Sequence, residues 1–148
     1  IGLIKVKEEP YVIEYNVRMG DPETEVVFPR ISTDVIDLFE SLGTPKFNQL
    51  ELKINPKHAV TVILVSGGYP EEYEKEKVIT GLSDVKESFV FHAGTKQEEN
   101  NFVTNGGRVL AVTSISDKYQ QALKLSYAQI QKLGFEKMYY RKDIGFDL

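Results

Sequence analysis

The side chains best suited to chemistry occupy alternate positions of one short segment near the N-terminus. Glu14, Asn16 and Arg18 alternate with apolar residues in the sequence YVIEYNVR, residues 11–18. This period of two predicts a half-buried β-strand whose polar face carries the three side chains about 6.5 to 7 Å apart. Carboxylate and amide oxygens suit Mg²⁺, and a neighbouring guanidinium can hold phosphate. The pattern therefore indicates a magnesium–phosphate site, or else the ordinary polar face of a surface strand.

A turn of Gly20, Asp21, Pro22 and Glu23 follows this strand. These residues favour turns, so we expect the two carboxylates to come back towards the polar face of the strand. The spacing of apolar residues then predicts a helix that ends near Leu42, packs on the sheet and is capped by Ser32 or Thr33.

Glycine-containing loops end several of the later predicted strands. Glycine lets a backbone approach a ligand and lets N–H groups surround an anion, but each of these loops alone is more typical of a simple turn. Arg108 favours phosphate binding at the last loop, and Asn-Gly between apolar segments predicts a hairpin of residues 102–104 with 108–115. The candidate residues of these loops are Gly67 and Gly68, then His92, Gly94 and Thr95, then Asn105, Gly106, Gly107 and Arg108.

The remaining strands and one long helix give an α+β class. A buried strand is predicted at 59–65, shorter strands at 78–82 and 88–92, a polar loop at 93–100, and a helix capped by Ser116 and closed by Gly134. The irregular stretch 44–57, which contains two prolines, is the predicted boundary between two substructures.

Composition excludes several classes of function. The net charge is −4 and the pI is near 5.3, which leaves no basic surface for nucleic acid. The chain has no cysteine and only two histidines, so a disulfide framework or a zinc centre is not expected. The longest apolar run, 59–65, is too short to cross a membrane, and we expect a cytoplasmic protein. Because Ile1 stands inside an apolar segment, the chain has the character of the back end of a longer protein.

Several segments together resemble the signature motifs of phosphoribosylamine–glycine ligases, which are ATP-grasp enzymes. VIEYNVRMGDPETE, VSGGYP, ITGL, VFHAGTK, VTNGGRVLAVT and a late DIG occur in that order over nearly the whole chain. The resemblance implies that residues 1–48 end an ATP-grasp domain as a β-hairpin plus helix. Residues 49–148 would form a small antiparallel β-barrel-like domain with one long helix. One departure is Glu76, which stands where the family usually has glycine.

The resemblance also implies a reaction and its residues. Glycine, 5-phosphoribosylamine and ATP would give glycinamide ribonucleotide, ADP and phosphate through a glycyl phosphate. Glu14 and Asn16 would bind Mg²⁺ or Mn²⁺, Arg18 would stabilise the transferring charge, and Asp21 and Glu23 would hold the ammonium group of glycine. The three glycine-containing loops would face phosphoribosylamine, with Arg108 on its 5-phosphate.

The same resemblance makes the missing N-terminal part of the polypeptide the main partner. The chain alone would then be inactive, and its unpaired strand edges would favour self-association. Two alternatives are a non-catalytic binding module that shares the fold and another ATP-grasp ligase or carboxylase.

Overall fold

The computed structural model describes residues 1–20 and 22–146, in which eight strands and three α-helices occur. Short 3₁₀ turns lie at Phe28–Arg30, Pro45–Gln49 and Leu82–Asp84. The elements in chain order are β1 (Gly2–Val6), β2 (Glu9–Glu14), α1 (Thr24–Val27), α2 (Val35–Ser41), β3 (His58–Val65), β4 (Val78–Ile79), β5 (Phe89–His92), β6 (Thr95–Glu98), β7 (Asn101–Thr104), β8 (Arg108–Ser116) and α3 (Tyr119–Ile130).

Two three-stranded antiparallel sheets make up the C-terminal part, ordered β3-β8-β5 and β4-β7-β6. Strand β8 is central and α3 packs on β3 and β8, so an apolar run of β8 is buried on both faces. The α+β class is confirmed, and the described strands do not close into a barrel. The most deeply buried apolar side chains are Val62, Leu64, Val109, Leu110, Val112, Ala122 and Ile130.

The N-terminal hairpin of β1 and β2 is a separate two-stranded sheet. Its two-residue turn uses Lys7 and Glu8 with φ of 48° and 71°, the left-handed conformation that matches the twist of a tight hairpin. Strand β2 ends at Glu14, so the predicted strand through residue 17 is too long. The prediction of a half-buried strand is also wrong for the described chain, because no second layer covers the hairpin and Ile13 and Val17 are exposed.

Helix α2 occurs where the spacing predicts it, but its cap and its packing differ. Asp34 is the cap, and its Oδ1 accepts the N–H of Ile36 at 2.8 Å. The hydroxyl of Thr33 instead accepts the N–H of Lys53 at 2.7 Å, which ties the chain across the 44–57 segment. Phe39 and Leu42, on the apolar face of α2, are exposed, so this face does not pack on a sheet within the described residues.

The predicted hairpin at Asn105-Gly106 is wrong. Strand β7 pairs with β4 and β6, whereas β8 pairs with β3 and β5, so the chain passes from one sheet to the other at this loop. The backbone there is held by a neighbouring loop: Asn105 N–H donates to the Gly94 carbonyl at 2.7 Å, and Gly94 N–H donates to the Arg108 carbonyl at 2.8 Å. The tight hairpin joins β6 to β7 instead, inside the predicted polar loop 93–100.

Two further local predictions differ at element ends. Ser116 is the last residue of β8 and donates its hydroxyl to Gln121 Oε1 at 2.9 Å, while Lys118 stands at the α3 N-cap without a side-chain hydrogen bond. Glu76 adopts φ of 62°, the left-handed conformation that glycine holds more easily. None of the described helices is long and apolar enough to cross a membrane.

Replacement of Gly94 by alanine tests the contact between the two loops. A Cβ at Gly94 would lie 2.5 Å from the Arg108 carbonyl oxygen and 2.6 Å from Gly106 Cα, and backbone atoms cannot move aside cheaply. We expect Gly94→Ala to lower the free energy of unfolding by about 2 kcal/mol, measured by urea denaturation.

Gly134→Ala is the matched control, since its Cβ would meet only the Thr80 side-chain oxygen at 3.2 Å. Equal stability of the two variants would contradict the close backbone approach at Gly94.

A pH effect is expected from the charge cluster around Glu74. Hydrogen bonds from Lys137 and then Lys77, at 2.7 and 2.6 Å, lower the pKa of Glu74 to about 2. A lowered carboxyl pKa stabilises the folded state above the unfolded pKa, and this contribution is lost as pH falls from about 5 to 2. Glu74→Gln should therefore flatten the loss of thermal stability in that window.

Glu71→Gln, in the same exposed segment, provides the comparison. If Glu74→Gln and the unchanged chain lose stability in parallel between pH 5 and pH 2, the Glu74 ion pairs do not contribute.

Candidate functional site

The polar residues of the N-terminal segment line one open cleft of about 520 Å³. Glu14, Asn16, Arg18 and Glu23 all contribute to its wall, so the structure brings together four of the five side chains predicted there. Asp21 lies outside the described residues. The hairpin positions Glu14 at the end of β2, Asn16 follows outside the strand, and Arg18 lies in a bend of the chain.

Glu14 and Asn16 are in direct contact, since Asn16 Nδ2 lies 3.1 Å from Glu14 Oε1. The two ends of an amide are exchangeable by rotation, and with the amide reversed its oxygen takes that position. Adjacent oxygen ligands of an octahedral magnesium ion are about 3 Å apart, given metal–oxygen distances of 2.0–2.1 Å. In the structure the Asn16 amide donates a hydrogen bond to Glu14, and in the reversed orientation its oxygen and Glu14 Oε1 would have the separation of one edge of a magnesium coordination shell.

No group of three or more His, Cys, Asp or Glu that could hold a metal exists among the described residues. Mg²⁺ is often held by one or two protein ligands and completed by substrate phosphates and water, so a carboxylate and an amide oxygen are a sufficient set of protein ligands for it.

Arg18 and Glu23 are both tied to the backbone of the turn. Arg18 Nη1 donates to the Met19 carbonyl at 3.0 Å, and Glu23 Oε2 accepts the N–H of Gly20 at 3.0 Å. Because Glu23 uses one carboxylate oxygen to hold the turn, its second oxygen is the one left for a ligand. Both side chains stand at an exposed rim rather than in the core.

The three predicted loops of the C-terminal part are connected by hydrogen bonds. Ser66 N–H donates to the Gly107 carbonyl at 2.8 Å, next to the bonds of Gly94 with Asn105 and Arg108. His92 lies in the same region, with Nδ1 3.0 Å from Thr95 Oγ1 and its ring 4.6 Å from that of Phe102. These contacts account for His92 structurally without involving a ligand.

Gly67 lines a different cavity from the one that Arg108 lines. The Gly67 cavity, about 280 Å³, is shared with Glu74 and Lys137, whereas Arg108 lines a different pocket of about 290 Å³. A side chain at Gly68 would collide with the Glu72 carbonyl, so packing within the chain requires glycine there. Gly67 and Gly68 are thus explained by the chain's own packing.

The Arg108 pocket contains residues that were not predicted as site residues. Among them, Arg141 donates from Nε and Nη2 to the two oxygens of Asp143, each at 2.9 Å. Pro22 also lines this pocket while Glu23 lines the hairpin cleft, so one turn borders both. The only sequence signal was the clustering of Tyr-Tyr-Arg near the C-terminus. The unpredicted polar lining residues are Thr61, Tyr69, Tyr139, Tyr140 and Arg141.

Known proteins similar to this chain share both sequence and fold. Phosphoribosylamine–glycine ligases of Caldanaerobacter subterraneus subsp. tengcongensis and Listeria innocua are 46% and 45% identical over 97% of the chain. The crystal structure of phosphoribosylamine–glycine ligase from Thermotoga maritima matches 96% of the chain with a TM-score of 0.79 and 33% identity. The chain spans 34% of each of the two ligases and 35% of the crystallised protein.

A bifunctional purine biosynthetic protein of Schizosaccharomyces pombe is 41% identical over 97% of the chain, which covers 18% of that protein. The family model described as phosphoribosylglycinamide synthetase, C domain, matches residues 59–147, which run from the second residue of β3 past α3 and include every residue of the Arg108 pocket except Pro22. By this match over more than half of its length, the chain belongs to the phosphoribosylglycinamide synthetase C-domain family.

Proposed function

We propose that this chain is the C-terminal part of an ATP-dependent ligase that joins glycine to 5-phosphoribosylamine. The observation that carries the proposal is the 3.1 Å pairing of Glu14 with Asn16 in a cleft that also contains Arg18. Family membership and the names of the relatives support the choice of substrates. The products would be glycinamide ribonucleotide, ADP and phosphate, in a cytoplasmic step of purine synthesis.

Glu14 and Asn16 are the proposed ligands of Mg²⁺ or Mn²⁺. When bound, the metal neutralises charge on the phosphates of ATP. Arg18, two positions beyond Asn16, places a guanidinium where negative charge develops as the carboxylate of glycine takes the γ-phosphate to form glycyl phosphate. An arginine suits this place because its charge persists at all physiological pH values.

The substrate glycine is proposed to be held by its ammonium group. The carboxylates of Asp21 and Glu23 would hold it, with the support that Glu23 lies in the same cleft as the proposed metal ligands. Glycyl phosphate then loses phosphate when the amine of phosphoribosylamine attacks its carbonyl carbon and forms the amide bond.

Phosphoribosylamine would lie against the loops of the C-terminal part. Arg108 is proposed to bind its 5-phosphate, beside Asn105, Gly106 and Gly107. His92, Gly94, Thr95, Gly67 and Gly68 belong to the same proposed surface, although Gly67 lines a separate cavity. The turn that borders both clefts, through Pro22 and Glu23, would bring the acyl phosphate and the attacking amine together.

The two substructures of the chain are proposed to have different roles. Residues 1–48 are proposed to end an ATP-grasp domain, and 49–148 to form the domain that closes over the substrates. The nucleotide base would be held by the part of the longer polypeptide outside this chain, so we expect no turnover by the 148 residues alone.

Substitution of Glu14 tests the function and the metal site together. In the longer polypeptide, Glu14→Gln should reduce ligase turnover at least about 100-fold, because a Lewis acid at a transferring phosphoryl group contributes several kcal/mol. In the 148-residue chain, millimolar Mn²⁺ should broaden the amide NMR signals of residues 14–18, and Glu14→Gln should abolish this broadening.

Glu9→Gln is the matched control, because Glu9 is exposed at the other end of the same strand. Normal magnesium-dependent turnover by Glu14→Gln would contradict the metal assignment. If Glu14→Gln loses turnover but Mn²⁺ does not broaden the signals of the unchanged chain, Glu14 is needed for activity in some way other than metal binding.

Self-association of the isolated chain is expected from its exposed hairpin. Ile4 and Ile13 are 51% and 63% exposed, and unpaired strand edges invite pairing with another copy. Light scattering should show a mass that rises with concentration, and Ile4→Lys with Ile13→Lys should restore a monomer.

Glu9→Lys adds the same kind of charge to the hairpin without removing an apolar side chain, and it should leave association intact. A monomer at all concentrations for the unchanged chain would contradict this expectation.

A further inference from the structure

The loop 105–107, which joins β7 to β8, uses its carbonyl groups within the protein. Ser66 Oγ donates to the Gly106 carbonyl at 2.9 Å, and Ser66 N–H donates to the Gly107 carbonyl at 2.8 Å. At the start of β8, the Arg108 carbonyl accepts the N–H of Gly94 at 2.8 Å. The acceptors of three successive residues are therefore satisfied.

The donors of the same loop are not satisfied in this way. Across residues 1–20 and 22–146, neither Gly106 N–H nor Gly107 N–H donates to a protein acceptor, and Gly107 is buried. Nearly all buried backbone N–H groups in folded proteins have a partner. Two successive free N–H groups beside an arginine match an anion-binding loop.

Ser66 is placed rigidly enough to orient this loop. It is only 4% exposed and follows directly on β3, whose last residue, Val65, exchanges backbone hydrogen bonds with Tyr139 at 2.8 and 3.0 Å. One serine therefore fixes two adjacent carbonyl groups, through its N–H and its hydroxyl. Because each peptide group is planar and trans, a fixed Gly106 carbonyl points the Gly107 N–H to the opposite side, away from Ser66.

Tyr69 supports the same loop from the side of the Arg108 pocket. Its ring lies directly against Gly107, where any side chain would collide with it, and it lines the pocket together with Arg108. The ring is itself braced by Tyr73, with centroids 6.1 Å apart. The N–H of Tyr69 donates to the Ser66 carbonyl at 3.1 Å, which links the two residues.

We infer that Ser66 and Tyr69 are positioning residues that hold the carbonyl side of residues 106–108 against the protein, so that the N–H side and Arg108 receive a sugar phosphate. The inference rests on the proposed function, in which Arg108 binds the 5-phosphate of phosphoribosylamine. Neither residue touches the reacting atoms in this role. Because they hold the loop in its binding conformation before the phosphate arrives, none of the binding free energy is needed to order it.

The test is a titration of the isotope-labelled chain with ribose 5-phosphate, followed by the amide NMR signals of Gly106 and Gly107. Both signals should shift saturably in the unchanged chain, and ribose, which lacks the phosphate, should leave them in place. Ser66→Ala should weaken the affinity about tenfold, the factor that corresponds to about 1.4 kcal/mol. Ser66→Thr keeps the hydroxyl and should restore the affinity.

Tyr69 gives a second and independent measurement, useful if Ser66→Ala does not fold. Tyr69→Phe keeps the ring over Gly107 and should bind as the unchanged chain does, whereas Tyr69→Ala should bind several-fold more weakly. Ser88→Ala is the matched control, since Ser88 also has a part-buried hydroxyl hydrogen bond, at 2.6 Å to Ser114. It should lower stability without changing the affinity.

The outcomes separate this inference from the proposed function. If Arg108→Ala abolishes binding while Ser66→Ala and Tyr69→Ala bind as the unchanged chain does, the positioning roles are overturned and the phosphate site stands. If the unchanged chain shows no phosphate-dependent shift of Gly106 and Gly107, the phosphate site at Arg108 and the positioning roles are both overturned, whereas the Mn²⁺ test at Glu14 decides the metal site separately. Equal weakening by Ser88→Ala would also overturn the positioning roles, since a general loss of stability would then explain the effect.

Discussion

The contact between the backbones at Gly94 and Gly106 is the constraint on which the C-terminal part depends. Because neither residue has a side chain, the loop after β5 and the loop before β8 can lie against each other and exchange hydrogen bonds. This contact lets the chain leave one sheet and enter the other between β7 and β8. It also places Arg108, the first residue of the central strand, beside the Ser66–Tyr69 segment.

The hairpin cleft depends on a different kind of order. Its polar residues are arranged by a two-stranded hairpin and a turn, with little burial, so local geometry rather than core packing sets the 3.1 Å contact of Glu14 with Asn16. A metal held by two protein ligands would need the rest of its shell from substrate and water. The exposure of this cleft is therefore compatible with a site that is completed by its ligands and by a neighbouring part of a longer polypeptide.

Helix α1 joins the two regions. It packs on β3 and β8, where the Thr113 hydroxyl donates to the Glu25 carbonyl at 2.9 Å. Glu25 Oε2 is buried without a hydrogen-bond partner among the described residues, and such a group costs about 1–3 kcal/mol. Helix α1 follows directly on the turn that borders both clefts. The unpaired Glu25 oxygen therefore lies close to the segment that connects the two clefts.

Much of the architecture could be predicted from local patterns. The β-branched run of β3 and the helical spacing of α2 and α3 each identified an element. The alternation around Glu14 also identified a strand, although neither of its faces is buried in the described residues. The resemblance in motifs identified the family, and the match over residues 59–147 confirmed it.

Most of the wrong predictions concern contacts between elements, and the others concern the ends of elements. Asn105-Gly106 has the composition of a hairpin turn, but β8 does not pair with β7. It lies between β3 and β5, where both of its faces are buried, and this position depends on how the sheets assemble. Thr33 and Ser116 are residue types that often cap helices, but neither caps its helix here. The Thr33 hydroxyl accepts the N–H of Lys53, and the Ser116 hydroxyl donates to the side chain of Gln121 inside α3. Thus the sequence by itself determined the family, most of the elements and the residues proposed to bind a metal or a phosphate. Only the tertiary structure decided strand pairing, the placement of Gly67 and Arg108 on different pockets and the support of the 105–108 loop by Ser66 and Tyr69, because these depend on contacts between residues far apart in the chain.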